Sequence, residues 1–354
     1  MVPAISDRFC MPLPEQILER VVHGHHLDES EAYAAFSALM DGGCTEAEIA
    51  ALLTALRIKG EAVSELVGAA RAMQERATPI HTRHTRLLDT CGTGGDQLGT
   101  FNISTATAIV VAAGGVAVPK HGNRSASSST GSADVLEQLG VNIHLSPERI
   151  THSLDELGIG FCFAPTLHGA MKHAAGVRKQ LRFRTIFNLL GPLTNPARAE
   201  YQLVGTGRID LAEKLAAALC SLGRRHAVVV CGADQLDEVS LWGTTVVLEV
   251  TDGEIRRHEW TASSFGLPEC TVAELRIDSP AGSAEVIRQV LAGHPGPARN
   301  IVVANAAAGY LAAEQETDLA AAVARAQEVL DTGKAAELLQ RLVDLTQTSV
   351  ERVT

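Results

Sequence analysis

The fold class the sequence predicts is α/β, with a small all-helical domain at the N-terminus and a larger α/β domain after it. Three observations carry this expectation. Apolar residues recur at helical spacing from Pro14 to Met73. From Leu87 onward, short apolar runs alternate with helical stretches, the pattern of strands layered with helices. The chain is 354 residues long, 46% hydrophobic and 20% charged, which is material for one large domain or two coupled ones, without disulfide or metal staples.

Each element follows from its own pattern. Ile17, Leu18, Val21 and Val22 define a first amphipathic helix, and Ala35, Phe36, Leu39 and Met40 a second. Ile49, Leu52, Leu53 and Leu56 define a third, and Val63, Leu66, Val67 and Ala70 a fourth. Thr45 with Glu48, after the break at Gly42 and Gly43, reads as a capping box that starts the third helix. A basic connector, His81 to Arg86, ends the helical stretch. Leu87-Leu88 then leads into a glycine loop, and Ile103 to Ala113 reads as a buried helix. Strands are expected at Val116–Val118, Ile159–Phe163, Leu203–Val204, Ala227–Val230, Thr245–Val250 and Ile301–Val303. Helices are expected at Leu211–Leu222, Ala284–Leu291 and along the alanine-rich stretch Leu319–Leu345. Thr185 to Pro196 resists the alternation: it is apolar first, then punctuated by Gly191, Pro192 and Pro196, as a hinge or a return to the helical domain would be. The expected division is therefore a helical domain over 1–80, completed by a segment near 180–197, and an α/β domain over 81–354.

Charge and cysteine usage exclude whole classes of partner. A formal net charge of -11 offers no general attraction to nucleic acid or to an anionic membrane surface, so neither is an expected partner. The seven cysteines stand singly, without C-x-x-C spacing, as in a reducing compartment. The N-terminal residues show no basic region followed by an apolar run, and the longest apolar stretch, Ala106 to Val118, is interrupted by Gly114 and Gly115. A cytoplasmic location is the expectation.

Four segments carry chemistry. The first is Asp89-Thr90-Cys91-Gly92-Thr93-Gly94-Gly95-Asp96, continued by Thr100-Phe101-Asn102-Ile103-Ser104-Thr105. Its glycines let backbone approach a ligand, and the helix that follows offers free N–H groups to an anion. It satisfies neither G-x-G-x-x-G nor the Walker pattern. The second runs from Lys120-His121-Gly122-Asn123-Arg124 through Ser125-Ala126-Ser127-Ser128 to Ser132 and Asp134. Two cations, an amide and several hydroxyls in one loop suit a phosphorylated, polyhydroxylated ligand, although serine runs are more often solvated linkers.

The third segment, Asp234 to Ser240, follows the Ala227–Val230 strand and sets Asp237 beside Glu238. Adjacent carboxylates at a strand end suit a hard cation such as Mg²⁺ that bridges to substrate phosphates, whereas two solvated acids in a turn are the commoner case. The fourth, Phe163 to Lys172 and on to Lys179, holds His168 and Arg178 ten residues apart. That spacing would put both on one face of a single helix. An arginine there could pair with a carboxylate substrate; a merely basic surface helix is the competing reading for Lys172, Lys179 and Arg182.

Taken together, the motifs resemble those of the anthranilate phosphoribosyltransferases. GTGGD, TFNIST, KHGNR, GSAD-x-LE-x-LG, FAP-x-x-H-x-AMK, VRK, RT-x-FN-x-LGPLTNP and DE-x-S occur in the family's order over roughly residues 85 to 240. The helical N-terminus and Asn305-Ala306-Ala307-Ala308 fit as well. The resemblance implies a central mixed sheet flanked by helices, of the phosphoribosyltransferase and nucleoside phosphorylase type, with substrates bound in a cleft between two domains and a homodimeric assembly. It implies transfer of the phosphoribosyl group of 5-phosphoribosyl 1-pyrophosphate to the amine of anthranilate, with Mg²⁺ as cofactor, in tryptophan biosynthesis.

The same resemblance implies residue roles. Gly92, Gly95, Asp96, Thr100, Asn102, Ile103, Ser104 and Thr105 would hold phosphoribosyl pyrophosphate. Lys120, His121, Gly122, Asn123, Arg124, Ser125, Ala126, Ser127, Ser128 and Ser132 would close over it, with Lys120, Asn123 and Arg124 acting by charge and positioning. Ser104, Asp237 and Glu238 would be the metal ligands. Gly92, Asn123 and Arg178 would contact anthranilate, with His121, His168 and Pro192 nearby and the Gly191-Pro192 region as hinge and pocket wall. Two positions depart from the family pattern: Pro119 stands where a small residue is usual, and Arg182 where glycine is frequent. Two other readings remain: a pyrimidine nucleoside phosphorylase-like enzyme, which carries different residues in the 120–128 region, and a non-catalytic nucleic-acid-binding relative, which the acidic balance disfavours.

Overall fold

The computed structural model describes residues 12–125 and 130–348. The chain forms two compact units. One holds the described residues up to Ala77 together with His168–Leu190, and the other holds Thr78–Leu167 and the described residues from Gly191 onward. The chain re-enters the helical unit at His168, earlier than position 180, and leaves it at Leu190, so that Gly191 and Pro192 belong to the α/β unit.

The helical unit begins with α1 (Glu15–Val22), α2 (Glu29–Met40), α3 (Glu46–Lys59) and α4 (Val63–Glu75). Most of their apolar stripes are the buried faces: Ile17 and Val21, then Phe36 and Leu39, then Ile49, Leu52, Leu53 and Leu56, then Leu66, Val67 and Ala70, whereas Val22, expected in the first stripe, is exposed. Capping boxes start α2 and α3, with Asp28 and Thr45 accepting from the third-residue N–H and Glu31 and Glu48 reaching back. Glu65, on the buried side of α4, gathers three donors: Leu27 N–H at 2.9 Å, Ala62 N–H at 2.7 Å and Lys59 Nζ at 2.7 Å.

The α/β unit follows with β1 (Leu88–Asp89), α5 (Ile103–Ala113), β2 (Val118–Gly122), α6 (Ser132–Gln138), α7 (Pro147–Leu157), β3 (Ile159–Phe163) and α8 (Ala164–Leu167). The excursion into the helical unit supplies α9 (Lys172–Leu181) and α10 (Phe187–Leu190). The α/β unit then resumes with β4 (Tyr201–Gly205), α11 (Ile209–Ser221), β5 (His226–Cys231), β6 (Thr245–Thr251) and β7 (Glu254–Trp260). It ends with α12 (Pro280–Leu291), α13 (Pro297–Ala312), α14 (Leu319–Asp331) and α15 (Lys334–Gln347). The main sheet has the order β1-β4-β5-β6-β7, parallel from β1 to β5 and antiparallel beyond. The parallel pair β2-β3 joins its edge through a Leu87–Ala117 bridge. The core lies on α5 and α13, which are buried on nearly all sides and locked by Tyr310 Oη donating to Val110 O at 3.1 Å.

Several expectations need correction. Ile301–Val303 is not a strand but the middle of α13. A helix buried all round shows no 3.6 period, and three β-branched residues then mimic a strand; the Pro297 start and the sixteen-residue length decide for helix. Lys120, His121 and Gly122 are not in a loop: β2 carries on through them, because β3 pairs with it from Ile159 to Phe163. Pro119, which lacks an N–H, is tolerated within that strand, and its carbonyl accepts from Asn195 Nδ2 at 2.7 Å. His168 and Arg178 do not share a helix, since α9 begins only at Lys172 after a short 3₁₀ turn. β7 is an edge strand of almost wholly exposed residues, without the apolar alternation that would have marked it. Arg182 closes α9 at φ 56°, the left-handed region that favours glycine.

Candidate active site

The parallel strands β1, β4 and β5 point their C-terminal ends the same way, and the candidate residues collect there, as ligand sites do in open α/β sheets. After β1 the chain passes close to the end of β4: Thr93 N–H donates to Gly205 O at 2.9 Å, and a Cβ on Gly92 would meet that same oxygen at 2.8 Å. Glycine is required by this approach. The loop then turns toward α5, where Asn102 is seated by Ser283, whose Oγ accepts from Asn102 N–H at 2.9 Å and donates to Asn102 Oδ1 at 3.1 Å. Ile103, Ser104 and Thr105 form the first turn of α5, with the free N–H groups and dipole end that favour an anion.

Asp237 and Glu238 sit in the turn after β5, beside Asp96 of the glycine loop and Ser104 of α5. Both are half-buried at the surface, yet enough protein surrounds them to desolvate them. Burial above all, then the charges of Asp96 and Glu238, pushes the Asp237 carboxyl well above the usual carboxylate range. Glu238 is raised by burial too and by Asp96, against the opposing pull of Lys120 and of hydrogen bonds from the Ser104 backbone and hydroxyl. Three carboxylates thus face one hydroxyl and one lysine. The turn is clamped from behind by Asn305, which the sequence marked only as part of a pattern: its Oδ1 accepts from Val239 N–H at 2.8 Å and its Nδ2 donates to Val239 O at 3.1 Å.

Lys120 is buried in β2, with Nζ 3.4 Å from both Thr90 O and Thr90 Oγ1. His121, also buried, donates its backbone N–H to Asp89 Oδ1 at 3.1 Å and its Nδ1–H to Gly191 O at 2.9 Å. That second bond ties β2 to the Gly191-Pro192 turn, whose Pro192 O accepts from Gln202 Nε2 at 2.5 Å. Beyond Gly122, Asn123 and Arg124 are exposed. The Arg124 guanidinium is engaged by Asp134 at 2.8 Å and by Glu137 at 2.6 and 2.8 Å, which raises its pKa. Asp134 also gathers the loop ends, accepting from Ser125 N–H and Gly131 N–H at 3.1 Å, while Ser132 Oγ donates to Asn123 O at 3.3 Å. Ala126, Ser127 and Ser128 lie outside the described residues.

Arg178 and His168 belong to the helical unit. The Arg178 guanidinium lies over the Phe187 ring, 5.0 Å from its centroid, and among the described residues it has no ion pair with an acid. Desolvation lowers its pKa. A cation in that condition gains from an anionic partner. His168 is buried just before the 3₁₀ turn Gly169–Met171.

Comparison with known proteins places this architecture in a class. The family model described as "Glycosyl transferase family, a/b domain" matches residues 84–336, and that of the "Glycosyl transferase family, helical bundle domain" matches residues 15–77. Within that class, an anthranilate phosphoribosyltransferase from Moorella thermoacetica is 51% identical over 92% of this chain and 96% of its own length, and one from Chromobacterium violaceum is 48% identical over 95% and 99%. The crystal structure of the anthranilate phosphoribosyltransferase from Thermus thermophilus superposes with a TM-score of 0.87 at 42% identity, over 94% of this chain and 99% of that one. The Saccharomyces cerevisiae enzyme, solved in complex with PRPP and Mg, superposes with a TM-score of 0.85 at 25% identity, over 94% and 99%. The chain belongs to the anthranilate phosphoribosyltransferase family.

Proposed function

We propose that the protein transfers the phosphoribosyl group of 5-phosphoribosyl 1-pyrophosphate to the amine of anthranilate, yielding N-(5-phosphoribosyl)anthranilate and pyrophosphate, as a step of tryptophan biosynthesis. The observation that carries this reading is the convergence of Asp96, Asp237, Glu238, Ser104 and Lys120 beside the glycine loop after β1.

The donor set fits Mg²⁺. Asp237 and Glu238 are desolvated carboxylates raised further by the charge of Asp96, and the Ser104 hydroxyl hydrogen-bonds Glu238; such hard oxygen donors suit a divalent cation. Ser104, Asp237 and Glu238 would hold it. When bound there, Mg²⁺ supplies charge neutralisation for the leaving pyrophosphate.

The remaining work falls to the protein's own groups. Gly92, Gly95, Asp96 and Thr100 to Thr105 offer backbone N–H groups and hydroxyls to the diphosphate and ribose. Lys120 adds a buried positive charge near Glu238, and Gly122 to Ser128 with Ser132 complete the phosphate side. Arg124 reaches a substrate phosphate only by releasing Asp134 and Glu137. Arg178 takes the anthranilate carboxylate, with Gly92 and Asn123 as further contacts and His121, His168 and Pro192 around the ring. The aromatic amine already carries a free lone pair, so attack at the ribose C1 needs alignment more than a base; its proton is lost after the bond forms. The oxocarbenium-like centre forms as the C1–O bond to pyrophosphate breaks, with inversion at C1.

We further propose a homodimeric assembly and a cytoplasmic location. Among the described residues no helix is long and apolar enough to cross a membrane. The test is loss of anthranilate fluorescence when the purified protein is mixed with phosphoribosyl pyrophosphate and Mg²⁺. Loss that EDTA abolishes supports the reading; no loss, with phosphorolysis of a pyrimidine nucleoside instead, overturns it.

A further inference from the structure

We propose that Asp89, Cys91 and His121 form a site for a thiophilic divalent cation of the Zn²⁺ class, distinct from the oxygen donors that suit Mg²⁺. One carboxylate oxygen, the Cys91 sulfur and one imidazole nitrogen lie within 4.8 Å of one another. The three come from two adjacent elements. Asp89 ends β1 and Cys91 follows two residues on, while His121 sits in β2, which is linked to that strand by the Leu87–Ala117 bridge. The His121 N–H to Asp89 Oδ1 bond of 3.1 Å holds the two chain segments in register at this level.

A second, independent observation points to a cation. Asp89 is fully buried, and its Oδ2 makes no hydrogen bond. The neighbouring Asn195 amide donates to Pro119 O at 2.7 Å, and its side chain also hydrogen-bonds the Asp89 carboxyl without satisfying Oδ2. The nearest lysine, Lys120, bonds Thr90 rather than Asp89, and Arg224, which also feels the Asp89 charge, directs its guanidinium to Leu193 O at 3.3 Å. A buried carboxylate oxygen with no donor is costly, and a metal ion is one of the few groups that satisfy it.

The donor chemistry selects the ion. Thiolate, imidazole and carboxylate together suit Zn²⁺ and its relatives, and three protein ligands leave a fourth position for water. Mg²⁺ has little affinity for sulfur or nitrogen donors and would not compete. Binding converts the Cys91 thiol into a metal-bound thiolate, and the thiol proton passes to solvent as the metal–sulfur bond forms.

The test uses Co²⁺ as a spectroscopic probe on the full-length, metal-free protein, so it does not depend on turnover or on the transfer reaction proposed above. One equivalent of Co²⁺ should give a thiolate-to-cobalt charge-transfer band with intense tetrahedral d–d bands, displaced by Zn²⁺ and unaffected by excess Mg²⁺. Cys91→Ser should abolish the charge-transfer band while Cys270→Ser keeps it, and Asp89→Asn should lower Co²⁺ affinity at least about tenfold. Where Cys91→Ser fails to fold, as read by far-ultraviolet circular dichroism, alkylation of the wild-type protein mapped by mass spectrometry decides. Saturating Zn²⁺ should slow labelling of Cys91 at least about tenfold. No charge-transfer band in the wild type, a band that survives in folded Cys91→Ser, or Cys91 labelling indifferent to Zn²⁺ overturns the proposal.

Discussion

Gly205, the last residue of β4, and Asp237, the first of the adjacent acids, meet backbone to backbone: a Cβ on Gly205 would lie 1.5 Å from the Asp237 carbonyl oxygen. No side chain fits there. The turn that presents Asp237 and Glu238 therefore rests directly on the end of the neighbouring parallel strand, and its position is set by a missing methyl group.

Gly205→Ala should accordingly displace the acid turn. The expected result is a loss of stability of about 1–3 kcal/mol from overpacking, with a larger fall in Mg²⁺-dependent turnover than stability alone explains. Thermal unfolding and Mg²⁺ titrations of activity measure the two effects. Wild-type turnover in this variant would show that the turn moves freely and that the contact is not needed.

Replacing both acids, as Asp237→Asn with Glu238→Gln, should abolish Mg²⁺-dependent turnover while leaving the fold intact. Because Asp237 and Glu238 are desolvated and both face the Asp96 charge, the same variant should melt higher than wild type when both are measured in EDTA. A lower melting point would mean that the acids are structural. Retained activity would place the metal elsewhere.

Arg178→Ala should raise the KM for anthranilate at least about tenfold, the loss of one charge-assisted contact, and leave the KM for phosphoribosyl pyrophosphate within about twofold. Arg178→Lys should recover only part of the loss, since an ammonium cannot form the two parallel bonds a guanidinium offers a carboxylate, nor stack on Phe187 as well. Initial rates with each substrate varied in turn give the answer, and an unchanged anthranilate KM in Arg178→Ala would remove this residue from the site.

In the helical unit, Glu65 is the buried anchor for Leu27, Lys59 and Ala62. Glu65→Ala leaves Lys59, itself nearly buried, with an unpaired charge, and should destabilise the protein by about 3–5 kcal/mol. The double variant Lys59→Met with Glu65→Leu should cost clearly less than the sum of the two single changes, because no isolated charge is left behind. Urea unfolding of the wild type, Lys59→Met, Glu65→Leu and the double variant closes the cycle; additive losses would mean that the pair does not act as a unit.

How much of this was legible in the sequence depends on the range of the interaction responsible. The four N-terminal helices could be read because each must turn one stripe toward a core, and a stripe is a local, periodic pattern. The segments rich in glycines, cations and hydroxyls stood out for a similar reason, being contiguous in the chain, although Lys120, His121 and Gly122 extend β2 where a loop was expected. Ile301–Val303 was misread, since full burial erases the period that separates helix from strand. The exposed edge strand β7 left no signal for the opposite reason, as it has almost no buried face to pattern.

The candidate site divides the same way. By itself the sequence determined the residue types and the local backbone: the glycine turn before α5, the pair Asp237-Glu238 and the cations of Lys120 to Arg124. Only the tertiary structure decided who faces whom. It set Asp96 beside Asp237, committed Arg124 to Asp134 and Glu137, seated Asn305 behind the acid turn, and brought Asp89 and Cys91 against His121. The physical reason is that pKa, charge compensation and metal affinity depend on distances of a few ångströms. For residues far apart in the chain those distances come from strand pairing and helix packing, which no local pattern encodes.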